Sequence, residues 1–249
     1  MEQSAAAFNE ALYDQFWATC PDFSRFNPGV LHRRRAIVGR LRSIGFQSLL
    51  DVGCGNGELI MWLRARFPAD VQYSGVDLSS KQVERNQAVH PYATFQALNI
   101  EQEHLDRTFD AVVCTEVVEH LDDRPSAFSH LAAMVKQGGH LVVTCPTGKV
   151  HATERHFGHT THPTVPELRR LVESVGLEVV SLDNWGFPLY TGLKYATNVR
   201  PEWALKSFAS GKYDLKAKFI SKALYFVNFL NPPTTPMGCQ LFLLARKSV

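Results

Sequence analysis

An α/β fold with a mostly parallel sheet is expected here, and three observations predict it. From Ser48 onward, short apolar runs alternate with helical patterns, the signature of βαβ units. A glycine cluster, Gly53-Cys54-Gly55-Asn56-Gly57, falls between the first such run and the helix after it. The 249 residues are 45% hydrophobic and 20% charged. That suffices for one large core with additions around it and excludes a largely disordered chain.

The elements follow in order. Phe8, Leu12 and Phe16 recur at i, i+4 and i+8, one face of an N-terminal helix. Pro21 and the Asn27-Pro28-Gly29 turn break this segment. A second helix carries Leu31, Ile37, Val38, Leu41 and Ile44. It opens with His32-Arg33-Arg34-Arg35, which reads either as a solvated face or as a clamp for an acidic ligand group. Residues 48–52 form the first strand. Leu59, Ile60, Leu63 and Phe67 give a helix that stops at Pro68. Residues 71–76 are the second strand, and Ser79 with Gln82 forms a capping box for the next helix. The third and fourth strands are 94–98 and 109–114. A helix with Ala127, Phe128, Leu131, Met134 and Val135 inward ends at Gly138-Gly139. Residues 140–145 are the fifth strand. Thr164 and Glu167 make a second capping box, with Pro166 in the first turn of a helix that Gly176 stops. The sixth and seventh strands are 177–182 and 240–245.

Net charge is +2, from 26 basic and 24 acidic residues, so nothing in the global charge marks a nucleic-acid binder. Five scattered cysteines without a CxxC pair suggest reduced thiols and a cytoplasmic location. The N-terminus lacks a secretory pattern, and no uninterrupted apolar run is long enough for a transmembrane helix.

In a parallel sheet with right-handed crossovers, ligands bind at the carboxyl ends of the strands. Asp51 and the glycine loop lie there. Glycine admits positive φ and close ligand approach, and the following helix offers unpaired N–H groups. Asp77 ends the second strand, 20 residues after Gly57, where an acid can accept from ribose hydroxyls. A dinucleotide site is the competing reading, but the spacing is G-x-G-x-G rather than G-x-G-x-x-G. No GxxxxGK[ST] is present, which excludes a P-loop ATPase.

LLDVGCGNGE (49–58), YSGVDLS (73–79), FQALNIE (95–101) and FDAVVCTEVVEHL (109–121) together resemble the class I S-adenosylmethionine-dependent methyltransferases. The resemblance covers roughly residues 46–182 and the final strand. It implies a Rossmann-like seven-stranded sheet, mostly parallel with an antiparallel last strand, and S-adenosyl-L-methionine as cofactor. Residue by residue, it implies that Asp51, Gly53, Cys54, Gly55, Asn56 and Gly57 pass under the methionine part and ribose. Asp77, followed by Leu78, would bind the ribose, Asn99 and Ile100 would reach the adenine, and Thr115 and Glu116 would lie beside the methionine end. Many relatives carry Asp where Asn99 stands.

Glu116-Val117-Val118-Glu119-His120 follows the fourth strand. If helical, its two carboxylates and imidazole share one face. His151, His156, His159 and His162 crowd the loop after the fifth strand. E-x-x-E-H is similar to a metal site of small-RNA 2′-O-methyltransferases and to a cluster in ubiquinone-pathway O-methyltransferases. EVVEHL also occurs in metal-free small-molecule relatives, and the expectation here is no metal. His120, Glu116, His156 and His159 are the catalytic candidates. The ordinary imidazole pKa near 6.5 suits His120 to a base role.

About 50 residues separate the sixth and seventh strands where a hairpin needs only a few. They are rich in aromatics and lysines. Helical packing, a cap over the site and docking on a membrane surface are the three readings. The expected organisation is an N-terminal helical cap (1–45), a methyltransferase core (46–187 and 237–249) and a helical lid (188–236). The expected function is methyl transfer to oxygen or nitrogen of a small-molecule acceptor, without nucleic acid. A metal-assisted RNA 3′-end 2′-O-methyltransferase and a non-catalytic S-adenosylmethionine-binding regulator are the alternatives.

Overall fold

The computed structural model describes residues 12, 16, 20, 22–208 and 211–248. The expectation on Phe8 lies outside these residues, whereas Leu12 and Phe16 are helical. The strands are β1 (Ser48–Val52), β2 (Gln72–Asp77), β3 (Ala93–Ala97), β4 (Phe109–Thr115), β5 (Val135–Pro146), β6 (Leu177–Trp185) and β7 (Gln240–Lys247). They form one sheet in the order β3-β2-β1-β4-β5-β7-β6. Strands β1 to β5 pair in parallel, and β7 runs antiparallel to both neighbours, as expected. Strands β7 and β6 form one end of the sheet. Strand β7 inserts between β5 and β6, which leaves β6 outermost.

The helices are α1 (Phe23–Phe26), α2 (Pro28–Arg42), α3 (Glu58–Arg64), α4 (Ser80–Val89), α5 (Arg124–Met134), α6 (Ala152–His156), α7 (Val165–Ser174), α8 (Leu189–Val199), α9 (Pro201–Phe208) and α10 (Leu215–Val227). All five residues of β1 are buried, because helices cover both faces of the sheet. The period of two then divides the core. Leu50, Val112, Leu141 and Leu243 pack on one side with Phe128 and Leu131 of α5 and Leu168 and Val172 of α7. Leu49, Val113, Val142 and Leu244 pack on the other with Ile37 and Leu41 of α2 and Ile60 and Leu63 of α3.

Local details refine the sequence reading in three places. The break at Asn27-Pro28-Gly29 is present, with α1 ending at Phe26 and Asn27 extended. Asn27 caps α2 by accepting from the N–H groups of Gly29 and Val30, and Pro28 is its first residue. Helix α5 ends at Met134, and Gly138-Gly139 lie within β5. A side chain at Gly139 would crowd the carbonyls of Phe109 and Asp110, so the close approach of β4 demands glycine. Only half of the first capping box forms. Ser79 accepts from Gln82 N, while its own N–H donates to Asp77. The second box, Thr164 with Glu167, is complete. All five cysteines are buried, and no disulfide joins them.

Candidate functional site

The carboxyl ends of β1, β2 and β4 open into a cavity of about 500 Å³, roofed by α1, α2 and α8. At one end is the glycine loop. Gly53, Gly55 and Gly57 all have positive φ, which is open to glycine at little cost. A side chain at Gly53 would overlap the Val117 methyl group. Asp77 braces the loop: its Oδ2 accepts from Gly55 N at 2.7 Å and its Oδ1 from Ser79 N at 3.0 Å. Asp51, 1% exposed, lines the cavity, and neither of its carboxyl oxygens has a hydrogen-bond partner among the described residues. Burial, and then the like charge of Asp77, push its pKa up to about 8 against the opposing pull of Arg34.

Of the expected cofactor residues, Asp51, Gly53, Cys54, Gly55, Asn56, Asp77, Leu78, Asn99, Ile100, Thr115 and Glu116 line this cavity. Gly57 is the exception. It caps α3 and backs onto His90 and Asn86, so its role is in the turn rather than on the cavity wall.

Glu116, Glu119 and His120 do not share a helical face. Glu116 has φ 56°, an uncommon backbone for a non-glycine residue, and only Val118–His120 form a 3-10 turn. The positive φ sends the two glutamates to different partners. Glu116 Oε1 accepts from Thr144 Oγ1 (3.0 Å) and Gln240 Nε2 (2.8 Å), and its Oε2 lies 3.6 Å from Arg33 Nε. Against the desolvation of Arg33, Glu116, with Tyr190 nearby, favours its charged form. Glu119 is 1% exposed, and neither of its carboxyl oxygens has a hydrogen-bond partner among the described residues. Burial, reinforced by the like charge of Glu116, holds it well above the usual carboxylate range.

The histidines form a chain from the cavity outward. The rings of His120 and His159 meet edge to face at 4.7 Å. His159 Nδ1 is 2.9 Å from His162 Nε2. His162 Nε2 lies 3.8 Å from Glu154 Oε1, which also accepts from Lys194 Nζ at 2.7 Å. Desolvation pushes His120 and His162 down to about 4, and His159 lower still, so all three are neutral at pH 7. The expectation that His120 titrates near 6.5 is therefore corrected. His156 is corrected too. It is exposed on the short helix α6 and does not line the cavity, whereas His120 and His159 do. Glu119, His120 and His159 place ligand atoms within 4.8 Å of one another, as do Glu154, His159 and His162. The second set already engages Lys194.

The basic run His32–Arg35 divides by function. Arg33 faces Glu116, Arg34 is buried against Glu58 and the Ser24 carbonyl, and only Arg35 is exposed. Sequence reasoning missed Thr144, Gln240, Glu154, Tyr190 and Lys194. No spacing signal connects Gln240 or Lys194 to the site. Only the clamp reading of the basic run pointed to Arg33.

A family model described as the methyltransferase domain matches residues 8–182. An O-methyltransferase of Aspergillus nomiae is 28% identical over 161 residues, 59% of this chain and 71% of that protein. A ubiquinone biosynthesis O-methyltransferase of Alkalilimnicola ehrlichii is 33% identical over 142 residues, 53% of this chain and 55% of that protein. The match thus spans between about half and seven-tenths of the length of these two relatives. Among solved structures, phosphoethanolamine N-methyltransferase 2 of Haemonchus contortus in complex with S-adenosyl-L-methionine superposes with a TM-score of 0.69 at 19% identity, covering 100% of this chain and 61% of that one. The N-methyltransferase NodS of Bradyrhizobium japonicum, in complex with S-adenosyl-L-homocysteine, superposes with a TM-score of 0.59 at 17% identity, covering 95% and 98%. The fold is that of these Rossmann-like methyltransferases, and with 8–182 matched by the family model, the chain belongs to the methyltransferase domain family.

Proposed function

We propose that the chain transfers a methyl group from S-adenosylmethionine to an oxygen or nitrogen of a small-molecule acceptor. The observation that carries this reading is a single cavity running from the Asp51–Asp77 glycine loop to the His120–His159 pair. The residues present suit the cofactor. Positive-φ glycines leave the loop floor open, and the unbonded carboxyl oxygens of Asp51 can accept from an ammonium. Asp77 is placed for a ribose diol, Asn99 and Ile100 for an adenine, and Thr115 and Glu116 for the methionine end. When bound, S-adenosylmethionine supplies an electrophilic methyl on a sulfonium that leaves as a neutral thioether.

The chain's own work is then orientation and proton removal. Arg33, Glu116 and Gln240 form a fixed polar wall beside β4, and a fixed wall favours in-line approach. His120, neutral at pH 7, keeps a ring nitrogen able to take the acceptor's proton as the new bond forms. His159 stands behind it. Residues 188–236 act as a lid in this reading: Tyr190, Leu193, Lys194, Thr197 and Asn198 of α8 line the cavity. Relatives named as O-methyltransferases support oxygen as the acceptor atom. Incubation with methyl-labelled cofactor and fractionated cell extract tests this. Label in small metabolites is expected, and label in RNA or nowhere refutes it.

One observation favours a second reading. Glu119 is buried without a partner, beside His120 and His159 and with all three ligand atoms within 4.8 Å, which suits a divalent cation that would restore its charge. Chelation separates the two readings.

A further inference from the structure

We infer that α10 and the 3-10 turn after it, Asn228–Leu230, form a docking face for an anionic membrane surface. The argument begins with the rotation of α10 about its axis. Its inner side is fixed by buried Ser221, whose hydroxyl donates to the Phe26 carbonyl, and by Lys218, whose ammonium lies 4.7 Å from the Phe26 ring centre. A second face of the helix, turned away from Ser221, is exposed to solvent. It carries Leu215 (88% exposed), Phe219 (74%) and Phe226 (58%), with Leu230 (73%) beyond the helix end. Positions 215, 219 and 226 fall on one helical face. A helix on a globular core ordinarily turns its apolar stripe inward. Here Leu224 and Tyr225 are half-buried beside Ser221, yet Leu215, Phe219 and Phe226 are left exposed.

Charge selects the occupant. Residues 203–237 contain five lysines and one acid, Asp214. That acid is engaged as the cap of α10, accepting from Ala217 N. Lys216 and Lys222 are exposed on α10, and the exposed guanidinium of Arg35 lies 3.9 Å over the Phe229 ring. A second copy docked on the same face would bring like charges together with no acid to pair them. A bilayer bearing anionic headgroups answers both features. Aromatic and aliphatic side chains enter the headgroup boundary while the lysines meet phosphates. No helix among the described residues is long and apolar enough to cross a membrane, so this contact is peripheral. The face is joined to the cavity wall. Asn231, just past the 3-10 turn, accepts from the N–H groups of Leu189 and Tyr190 at the start of α8.

Cosedimentation of the full chain with phosphatidylcholine vesicles, with and without phosphatidylglycerol, tests the inference. Binding is expected only with phosphatidylglycerol, weakening as salt rises. The double variants Phe219→Ser/Phe226→Ser and Lys216→Glu/Lys222→Glu should each lower partitioning at least tenfold. Both should keep the parent circular dichroism and melting temperature, because the four side chains are exposed. Absence of binding, equal binding to both vesicles, or binding unaffected by either variant overturns the inference. So does a lipid-free dimer in sedimentation equilibrium that the phenylalanine variant dissociates, since the face would then belong to a second copy.

Discussion

Replacing Asp77 by alanine tests the cofactor reading at the point where fold and ligand meet. The carboxylate holds the glycine loop through two charge-assisted hydrogen bonds, from Gly55 N at 2.7 Å and Ser79 N at 3.0 Å. In the proposed complex it also accepts from the two ribose hydroxyls. Hydrogen bonds to a charged group contribute about 1.5–3 kcal/mol each. Loss of two ligand contacts thus corresponds to about 3–6 kcal/mol, or about two to four powers of ten in affinity at 1.4 kcal/mol per decade. Asp77 is partly exposed, so solvent screening favours the lower end. The expected outcome is a roughly hundredfold rise in Kd for S-adenosylhomocysteine by calorimetry. Asp77→Asn keeps one acceptor oxygen and should fall between the parent and the alanine variant. The freed loop donors should lower Tm by about 2–4 °C per kcal/mol lost in a chain of this size. A Tm that drops while Kd stays at the parent value would confine Asp77 to bracing the loop and refute its ligand role.

Three further predictions follow from the site. Cofactor affinity should rise by at most about tenfold per pH unit from about pH 6 to 8 and level above that, because an ammonium favours ionised Asp51 and binding then releases its proton. Asp51→Asn should flatten that dependence, and a pH-independent parent Kd would remove Asp51 from the ammonium site. His120→Ala should lower kcat by about 10²-fold or more with cofactor Kd unchanged. Since burial pushes the His120 imidazole down to about 4, its base form persists from neutral pH downward and is lost only as pH approaches 4. An inflexion in kcat near 6.5 that His120→Ala abolishes would contradict this. Turnover should survive exhaustive chelation. Loss on chelation that magnesium or manganese reverses, together with metal retained by the parent and lost in Glu119→Gln, would establish the cation reading instead.

Much of the site's cofactor half was legible in the chain. Glycines that need positive φ, an acid at the end of the next strand and a helix start between them are local features, and each leaves a mark at fixed spacing. The polar half was legible only in part. His120 was named from the E-x-x-E-H spacing and His159 from a histidine-rich loop, but His156, in that same loop, is exposed on α6. A loop's residue types do not disclose which side chains turn inward. Glu116 was expected on a helix. Its positive φ breaks that face and directs the carboxylate to Gln240 and Arg33.

The order of strands and helices, the position of the glycine loop and the acid after β2 were determined by the sequence itself, because hydrophobic period, caps and glycine act over a few residues. Tertiary structure alone decided what crosses the chain. The partners of Glu116 come from α2, β5 and β7, at positions 33, 144 and 240. Glu119 is held well above the usual carboxylate range only because folding buries it beside a second carboxylate. The outward turn of Phe219 and Phe226 exists only because Ser221 is held at Phe26. Each depends on which surfaces pack together, and no local pattern encodes the desolvation or the orientation that packing imposes.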